Sequence, residues 1–537
     1  MATIAAADGG SSGAQRTRLV IGASSVGTVF EWYDFFIYGT LAASGIIGRT
    51  FFPAGNETLQ TLLAWAGFAV GFGFRPLGAI LFGYMGDRLG RKYTFLVTIT
   101  LMGLATAGVG LVPSAAAIGI AAPIIVILLR IMQGLALGGE YGGAAIYVAE
   151  HSPPGKAGYY TSFIQASVAG GFVLSLAVVL GTKSVMSDAT WDAWGWRVPF
   201  LVSILLLAIS LWMRLKLSES PVFKALKEAG GCAANPFKAS FTYPGNLKRL
   251  FVALFGIAAG LTVIWYTAMF STLSFLQGPM RVDPTAAQLI VGAGALAGLG
   301  WFVLFGRLSD RVGRRKPIVI GYALTLLLLF PLFWLMGAAA NPGLAAAAER
   351  APVTIHRPSC DFDPFAGEQA DLCGQVLGKL GGLGVGYSFN PVRLEGLSGE
   401  IVVSVGDATI PIGDPEEVQL LLEEAGYSFD PVVPPPASIA IILLSILALT
   451  ALSGATYGPV AALLAEMFPP QIRYSSMSIP YHFGTGYFGG FLPFIASYIV
   501  ATSGDPYAGL WYTMAVVAMA LVVTWLWLPD RPAEALD

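Results

Sequence analysis

A few ionisable side chains interrupt the long apolar stretches of this sequence, and these residues are the ones best placed to do chemistry. If the stretches cross a bilayer, an ionisable group near its middle costs at least ~2.5–3.5 kcal/mol, so each is a functional candidate. Glu31 and Asp34 lie three residues apart, which places both carboxylates on one helix face. With Glu140, they are the candidate proton-binding groups. The alternative for Glu31 and Glu140 is that they cap loops near the inner surface.

Arginines in the same stretches supply the complementary chemistry, the binding of an anion. Arg130 and Gln133 also share a helix face, and Arg75 precedes a proline, where its guanidinium offers a planar fork to a carboxylate. A carboxylate beside an arginine changes its protonation state when the arginine turns to a substrate anion, which couples proton and solute. We therefore assign proton binding to Asp34 and make Arg130 the counter-ion of Asp34 or of the substrate. The alternatives are a permanent structural ion pair and, for Arg75, an anchor to a neighbouring helix.

Other polar and aromatic residues are candidates for lining a substrate cavity. A histidine can titrate near neutral pH, although a lone histidine on an apolar face more often makes a helix–helix contact. Aromatic residues in membrane helices also simply pack or lie at the interfaces. The candidates are Gln165, Trp265, Tyr266, Phe270, Tyr481 and His482.

The elements that carry these residues are long and apolar. Of the 537 residues, 55% are hydrophobic and 12% are charged, whereas soluble domains carry about 25% charged residues. This composition excludes an ordinary soluble enzyme, and the net charge of −2 argues against a nucleic-acid partner. At about 20 apolar residues per crossing, the sequence predicts twelve spans, at about 19–47, 60–84, 92–112, 122–147, 159–181, 198–215, 250–276, 286–306, 317–337, 438–465, 475–500 and 508–528.

The distribution of basic residues predicts the orientation of these spans. If the N-terminus is cytoplasmic, the inner segments collect 20 Lys and Arg residues and the short outer loops collect 4. Because cytoplasmic loops carry an excess of basic residues, both termini and the polar loop 216–248 are predicted to be cytoplasmic.

Residues 340–437 do not follow the pattern of spans. They hold 14 acidic residues, 4 basic residues and 11 prolines, with no apolar run of spanning length. GYSFNPV, from Gly386, recurs 40 residues later as GYSFDPV, with a strand-like EIVVSV run and an acidic helix-like run between the two copies. The segment is therefore predicted to be a small α/β extracytoplasmic insert. Cys360 and Cys373 either pair there, as an oxidising compartment permits, or remain two free buried thiols.

A motif that occurs twice indicates the architecture. GYMGDRLGRKYT follows the second predicted span, and GRLSDRVGRRKP follows the eighth span, 223 residues later. Glycine permits tight packing in a short loop, and the acid and arginines can pair with charges or helix ends across the cytoplasmic surface. One copy alone could be a simple basic loop, but two copies at equivalent places indicate two six-span halves with a substrate path between them. The predicted gating residues are Gly83, Asp87, Arg88, Gly90 and Arg91 in the first copy, and Asp310, Arg311, Gly313 and Arg314 in the second.

These loops resemble the signature loops of the major facilitator superfamily. VFEWYDFFIYG in span 1, GFRPLGAILFGYMGDRLGRK across span 2 and LLRIMQGLALGGEYGGAAIYVAEHSPPGKAGYY through span 4 resemble its metabolite:proton symporter family. That resemblance implies uptake of small acids or zwitterions such as 2-oxoglutarate, shikimate, citrate, proline and betaine, and a substrate-binding role for the arginine of the RPLG stretch. The outer insert is not usual in that family.

The resulting prediction is an all-α membrane protein with the major facilitator fold. Its parts are an N-terminal tail (1–18), a first half (19–215), the inter-half loop (216–248), spans 7–9 (249–339), the insert (340–437), spans 10–12 (438–528) and a C-terminal tail (529–537). The predicted function is proton symport of a small carboxylate or zwitterion in a bacterial inner membrane, by a monomer without metal or cofactor. The alternatives are a uniporter or exporter on the same fold, or a sensor acting through the insert. The sequence has no G-x-x-x-x-G-K-[ST] phosphate loop, which argues against direct coupling to ATP.

Overall fold

A computed structural model of the protein describes residues 10–52, 56–89, 91–139, 141–150, 152–215, 236–391, 401–469 and 472–530. Eleven helical segments of this part of the chain are long and apolar enough to cross a membrane. A helix of 34 residues, Gly10–Ala43, precedes them. At 1.5 Å per residue it is longer than the hydrocarbon core is thick. Together these helices make up the twelve spans that the sequence predicts.

We number the spans along the chain. The first half consists of span 1 (Gly10–Ala43), span 2 (Glu57–Gly73 and Arg75–Leu89), span 3 (Arg91–Leu111), span 4 (Ala121–Gly138), span 5 (Ala157–Ser184) and span 6 (Val198–Leu215). The second half consists of span 7 (Asn246–Gln277), span 8 (Pro284–Val312), span 9 (Arg315–Ala340), span 10 (Pro436–Met467), span 11 (Arg473–Ser503) and span 12 (Leu510–Trp527). Short helices flank them at Ile46–Phe51, Ala115–Ile118, Tyr141–Glu150, Asp188–Ala193 and Pro236–Thr242, with a 3-10 turn at Gly195–Arg197.

Local sequence determines where several spans begin and how closely they pack. Asn56 caps span 2 by accepting a hydrogen bond from the Leu59 amide at 2.7 Å, and Asp283 caps span 8 through the Ala286 amide at 2.9 Å. Spans 2 and 4 cross so closely that a Cβ atom on Gly134 would overlap the Gly71 carbonyl oxygen. Glycine is therefore required at this crossing, as is common where membrane helices pack.

The two halves meet along two pairs of spans. Span 5 packs against span 8, and span 2 packs against span 11. Within the halves, span 5 also packs on span 1, span 6 on span 3, and span 10 on spans 8 and 9. The interface between the halves is therefore built mainly by spans 2, 5, 8 and 11, and span 7 closes it from the side of the second half.

Spans 7 and 11 are not continuous α-helices. Span 7 contains π-helical segments at Val252–Ala258 and Thr267–Ser271, and span 11 contains one at Gly484–Gly490. Such segments interrupt the i to i−4 hydrogen-bond ladder and occur frequently at functional sites. Apolar patterning does not reveal them, because a π-helical turn needs no change in hydrophobicity.

The insert between spans 9 and 10 has its own fold. A four-stranded sheet has the order β2-β1-β3-β4, with β1 Val353–Ile355, β2 Tyr387–Phe389, β3 Ile401–Val405 and β4 Ala408–Ile412. β1 pairs in parallel with β2 and antiparallel with β3, and β3 pairs antiparallel with β4. Helices at Pro342–Arg350, Leu372–Leu383 and Pro415–Glu424 accompany the sheet. Buried side chains of these helices and strands form a hydrophobic core separate from that of the spans, which confirms the predicted α/β insert.

The insert is fastened to itself and to both halves of the bundle. A disulfide joins Cys360 to Cys373, whose Cα atoms are 5.6 Å apart. Asn56 of the first half donates to the Ala366 carbonyl at 2.9 Å. In the second half, the Asp283 amide donates to the Val432 carbonyl at 2.8 Å. The insert therefore covers one end of the bundle, which we call the insert end.

Candidate functional site

An aromatic cluster fills the centre of the bundle where the two halves meet. Phe36 of span 1 stacks on Trp265 of span 7, with ring centroids 5.0 Å apart. Phe270 of span 7 lies 5.3 Å from Phe68 of span 2 and 5.0 Å from Phe172 of span 5. All five rings are buried. Aromatic pairs add an attraction to the stabilisation that comes from their buried area. This aromatic cluster therefore holds spans 1, 2 and 5 against span 7.

Arg75 lies beside the aromatic cluster, at the start of the second helix of span 2. Its side chain is fully buried, and its Cζ atom lies 5.2 Å from the ring centroids of both Trp32 and Phe72. Tyr266 and His482, from the second half, lie within electrostatic range of its guanidinium. The structure thus brings an arginine of one half together with a tyrosine and a histidine of the other.

Several polar atoms around Arg75 are buried without a hydrogen bond. Among the described residues, Tyr266 Oη, Trp265 Nε1 and both ring nitrogens of His482 have no partner. Buried polar atoms are nearly always paired in folded proteins, so these atoms are available to a bound solute. Tyr481 is committed elsewhere, because its hydroxyl shares a hydrogen bond of 2.7 Å with Tyr457 of span 10.

Arg130 of span 4 is also fully buried, but its described hydrogen bonds do not go to a carboxylate. It donates to Gln133 Oε1 at 2.7 Å and, at 3.3–3.4 Å, to backbone carbonyl groups of spans 1 and 2. The ring centroids of Phe35 and Tyr38 lie 4.4 and 4.5 Å from its Cζ atom. Carbonyl dipoles and ring faces, and not the Asp34 carboxylate, therefore surround the Arg130 guanidinium. The prediction that Arg130 is the direct counter-ion of Asp34 is therefore wrong. Its other predicted role, counter-ion of the substrate, stays a prediction.

Asp34 lies inside the first half and not at the interface between the halves. Thr106 of span 3 and Gln133 of span 4 donate to its backbone carbonyl at 3.3 and 3.4 Å. Its side chain is buried beside Ser203 of span 6, and Oδ1 has no hydrogen-bond partner in the part of the chain that the structure describes. Span 1 thus directs Asp34 toward spans 3, 4 and 6 and Phe36 toward the interface. Gln133, which also holds Arg130, connects Asp34 to the central region.

The remaining predicted residues are in part buried within the first half and in part outside the described residues. Glu31 is buried, and its charge acts on Asp34. Gln165 is fully buried in span 5. Glu140 and Gly90 lie outside the described residues, as do the surroundings of Gly83 and the side chains of Asp87, Arg88 and Arg91. No group of His, Cys, Asp and Glu side chains within the described ranges is arranged to hold a metal ion.

Charged groups join the halves at the end opposite the insert. The Asp310 carboxylate, from the second copy of the repeated motif, accepts hydrogen bonds of 2.8 Å from the amides of Gly158 and Tyr159. These amides lie in the first turn of span 5, where a helix favours a negative charge. Arg314 holds the same carboxylate at 2.7 Å and pairs with Glu466 of span 10 at 2.7 Å. We call this group of residues the opposite-end gate.

Two further features strengthen the opposite-end gate. Gly306 begins the repeated motif, and a Cβ atom there would lie 2.6 Å from the Gly158 carbonyl oxygen, so spans 5 and 8 approach too closely for a larger residue. Arg473 of span 11 pairs with Glu150 at 3.2 Å, which joins the halves a second time. Although burial disfavours a charged guanidinium, Glu466 and Asp310 raise the pKa of Arg314 above its ordinary value.

Loss of the Arg314 guanidinium is expected to weaken this closure and the fold. Arg314→Gln leaves Asp310 and Glu466 buried without their cation, and breaking a buried ion pair costs about 3–5 kcal/mol. We expect a clearly lower thermal unfolding temperature and faster labelling of a cysteine that replaces Ser162, a buried serine of span 5 that lies against Gly306. Arg311→Gln is the matched control, because Arg311 belongs to the same motif but is exposed. Equal unfolding temperatures for the two variants would contradict the role given to Arg314.

Comparison with known proteins agrees with this architecture. The family model of the Major Facilitator Superfamily matches residues 24–349. The inner membrane metabolite transport protein YhjE of Escherichia coli (strain K12) is 31% identical over 506 residues, which cover 94% of this chain and 92% of that protein. The shikimate transporter of the same strain is 36% identical over 330 residues, covering 61% and 74% of the two chains. The solved structure of the proton:xylose symporter XylE bound to 6-bromo-6-deoxy-D-glucose has a TM-score of 0.61, at 15% identity, and covers 97% of this chain and 98% of its own.

Two six-span halves that enclose buried polar groups and are joined by ion pairs at one end are the architecture of a membrane transporter and not of an enzyme. The chain belongs to the major facilitator superfamily, as its repeated loops predict. The family model ends at residue 349, close to the start of the sheet of the insert.

Sequence reasoning missed the residues that connect the predicted ones. Thr106 and Ser203 are short polar residues in apolar spans and carry no periodic signal, although each lies against Asp34. The amides of Gly158 and Tyr159 could not be found either, because a backbone donor has no residue type of its own. Glu466, at the end of span 10, was detectable as an acid beside an apolar run.

Proposed function

We propose that the chain is a proton symporter that imports a small organic acid or zwitterion by alternating access. The observation that carries the proposal is the buried carboxyl group of Asp34 in span 1. Gln133 donates to the backbone carbonyl of Asp34 and accepts from Arg130, so it connects this residue to the arginine beside the interface of the halves. A buried carboxyl group that titrates within a span marks a proton path. The names of the shikimate transporter and of the proton:xylose symporter agree with this class of transport.

The solute would bind between the halves, at Arg75. A guanidinium binds a carboxylate through two parallel hydrogen bonds, and Tyr266, Trp265 and His482 present unpaired polar atoms from the other half. Because these groups come from both halves, a bound solute would draw the halves together around it. We therefore assign solute recognition chiefly to Arg75 and place Arg130 behind it, between Gln133 and the rings of Phe35 and Tyr38.

Proton and solute would be coupled through Gln133. Its amide nitrogen donates to Thr106 and to the Asp34 carbonyl, while its amide oxygen accepts from Arg130. Loading a proton on Asp34 removes a buried negative charge and alters the packing of span 1 against spans 3, 4 and 6. That change would move Gln133, and with it Arg130, so that solute binding and protonation favour the same conformation.

The conformation present here fits one step of that cycle. The opposite-end gate is closed by Asp310, Arg314 and Glu466, and the aromatic cluster seals the centre. In the proposed cycle, solute and proton enter from the insert end, the gate opens, and both leave at the opposite end. One chain would be sufficient as the functional unit, because it supplies both halves.

We further propose that the insert end faces the periplasm and that both termini are cytoplasmic. The excess of basic residues in the predicted inner segments supports this orientation. The disulfide between Cys360 and Cys373 supports it independently, because disulfides persist in oxidising compartments and not in the cytosol.

Proteoliposomes test the proposed function. With an imposed inward proton gradient of one pH unit, we expect accumulation of at least one member of a panel of shikimate, 2-oxoglutarate, proline and glycine betaine. An uncoupler should abolish the accumulation. Uptake that proceeds only to equal concentrations, gradient or not, would identify a uniporter, and accumulation driven by the reverse gradient would identify an exporter.

A further inference from the structure

A cavity of about 450 Å³ lies between the bundle and the insert. The insert contributes the turn at Gly381, Gly382 and Gly384, and Pro431, while both halves contribute the remaining walls. Trp65 and Thr267 lie at its side toward the centre of the bundle. Neither Arg75 nor Asp34 is among its described lining residues, so this cavity, which we call the vestibule, is separate from the central site.

Arg281, in the loop between spans 7 and 8, has an unusual backbone in the wall of the vestibule. Its φ angle of 52° makes it the only residue other than glycine with positive φ in the described part of the chain. Residues other than glycine are strained in this region of φ, and such residues cluster at functional sites. The insert keeps Arg281 there, because the Val432 amide donates to its carbonyl at 2.9 Å and its own Nη2 donates to Gly382 at 2.6 Å.

Three polar atoms in the wall of the vestibule are buried without a partner. Within the described residues, Arg281 Nε, Gln277 Oε1 and Ser274 Oγ make no hydrogen bond. Arg281 Nε can only donate, Gln277 Oε1 can only accept, and the Ser274 hydroxyl can do either. A ligand that satisfies all three must therefore carry both a strong acceptor and a hydrogen-bond donor.

The charges of the vestibule indicate what the acceptor is. Arg49 and Arg281 line it together with one acid, Glu57, so the lining carries a net charge of +1. Burial lowers the pKa of Arg281, and Glu57 opposes that shift. A carboxylate beside Arg281 would favour its charged form further and would meet the guanidinium through the unpaired Nε.

We propose that the vestibule is a second binding site, separate from the central one, for a small hydroxylated carboxylate. The carboxylate lies on Arg281, and the hydroxyl groups donate to Gln277 Oε1 and bond with Ser274. The volume suffices for one ring-sized solute. A transported solute would bind in the vestibule before it reaches the central site, and this part of the proposal rests on the proposed function. The existence of the vestibule site does not rest on it.

Three ring compounds of similar size separate the features of the proposed ligand. Quinate carries a carboxylate and ring hydroxyls, cyclohexanecarboxylate carries the carboxylate alone, and myo-inositol carries the hydroxyls alone. Binding of each to the purified full chain in detergent is measured by isothermal titration calorimetry. We expect quinate to bind at least about tenfold more tightly than either of the other two, a difference of about 1.4 kcal/mol.

Variants assign the binding to the vestibule. Arg75→Gln changes the central site and should leave a quinate site of unchanged affinity, whereas Arg281→Gln should weaken that site at least about tenfold. Gln277→Leu removes the acceptor and should reduce quinate to the affinity of cyclohexanecarboxylate. Arg350→Gln is the matched control, since this arginine of the insert does not line the vestibule. A folded state is verified for each variant by its unfolding temperature without ligand, and Arg281→Lys, which keeps the charge, provides a second variant at this position.

The proposal is overturned by any of three results. The first is that quinate does not bind to the native chain. The second is that quinate binds equally to the native chain and to folded Arg281→Gln or Arg281→Lys protein. The third is that Arg75→Gln alone loses all quinate binding. Because calorimetry needs no membrane gradient, failure of proton-driven uptake would leave a positive binding result intact. Conversely, proton-driven uptake without quinate binding would reject the vestibule site and retain the transporter.

Discussion

Replacement of the buried acid of span 1, in Asp34→Asn, is expected to abolish accumulation driven by a proton gradient while exchange of labelled for unlabelled solute continues. One pH unit is worth about 1.4 kcal/mol per proton, or about tenfold accumulation. The native chain should approach that ratio with one proton per solute, and the variant should stop near one. Asparagine keeps the shape of the side chain but cannot bind and release the proton, so the two activities separate. Both are measured in the same proteoliposomes with a radiolabelled substrate.

Asp188→Asn is the matched control for this experiment. Asp188 is an acid near the end of span 5 whose side chain is 87% exposed, so its loss should change neither accumulation nor exchange. Undiminished accumulation by Asp34→Asn would remove Asp34 from the coupling mechanism. Loss of both activities in a variant with a native unfolding temperature would indicate that Asp34 serves the conformational cycle and not the coupling alone.

The second large effect is expected at Arg75. Arg75→Gln should raise the dissociation constant of an acidic substrate by about 10- to 100-fold, because a hydrogen bond to a charged group contributes about 1.5–3 kcal/mol. Arg75→Lys keeps the charge but loses the planar fork, so it should recover only part of the affinity. Binding is measured on the purified protein with the substrate that uptake identifies.

Arg307→Gln is the control for the Arg75 variants. Arg307 is an exposed arginine of span 8. The Arg307→Gln variant should therefore bind substrate with the affinity of the native chain. If Arg75→Gln keeps native affinity, Arg75 is a structural cation held by Trp32 and Phe72, and the solute is recognised elsewhere.

The architecture could be predicted because the physics that determines it acts on runs of residues. A span needs about 20 apolar residues wherever it lies in the chain, so the lengths of the apolar runs give the spans directly. The insert was predictable for the converse reason, since 14 acids in 98 residues cannot lie in hydrocarbon. Its sheet order was not predictable, because β1 pairs with β2 and β3 through long-range contacts that no local pattern records.

The gate was predictable in part. The repeated motif marks Asp310 and Arg314 by their spacing, and the structure pairs them at 2.7 Å. Their gating role stays a prediction. The partner of Asp310 is the N-terminus of span 5, however, and a backbone amide leaves no trace in the residue types. Gly158 becomes informative only when spans 5 and 8 are known to touch.

The central site shows most clearly where sequence reasoning ends. Helical spacing places Glu31 and Asp34 on one face, but it does not say whether that face turns toward the other half or into its own. The structure turns Asp34 toward Ser203 and leaves Arg130 to carbonyl groups and ring faces. The packing of a membrane helix against all its neighbours decides which of its sides faces a substrate path. Because every side of an apolar helix can pack against some neighbour, the sequence of one helix does not identify that side.

The most direct test of proton symport is the movement of protons driven by the solute. Proteoliposomes containing the native chain and a trapped pH indicator are given an inward gradient of the identified substrate, with no pH difference and with the membrane potential clamped by potassium and valinomycin. Proton symport predicts acidification of the lumen, which proteoliposomes with the Asp34→Asn variant and protein-free liposomes should lack. Substrate uptake by the native chain without any change of lumenal pH beyond that of the protein-free liposomes would contradict it.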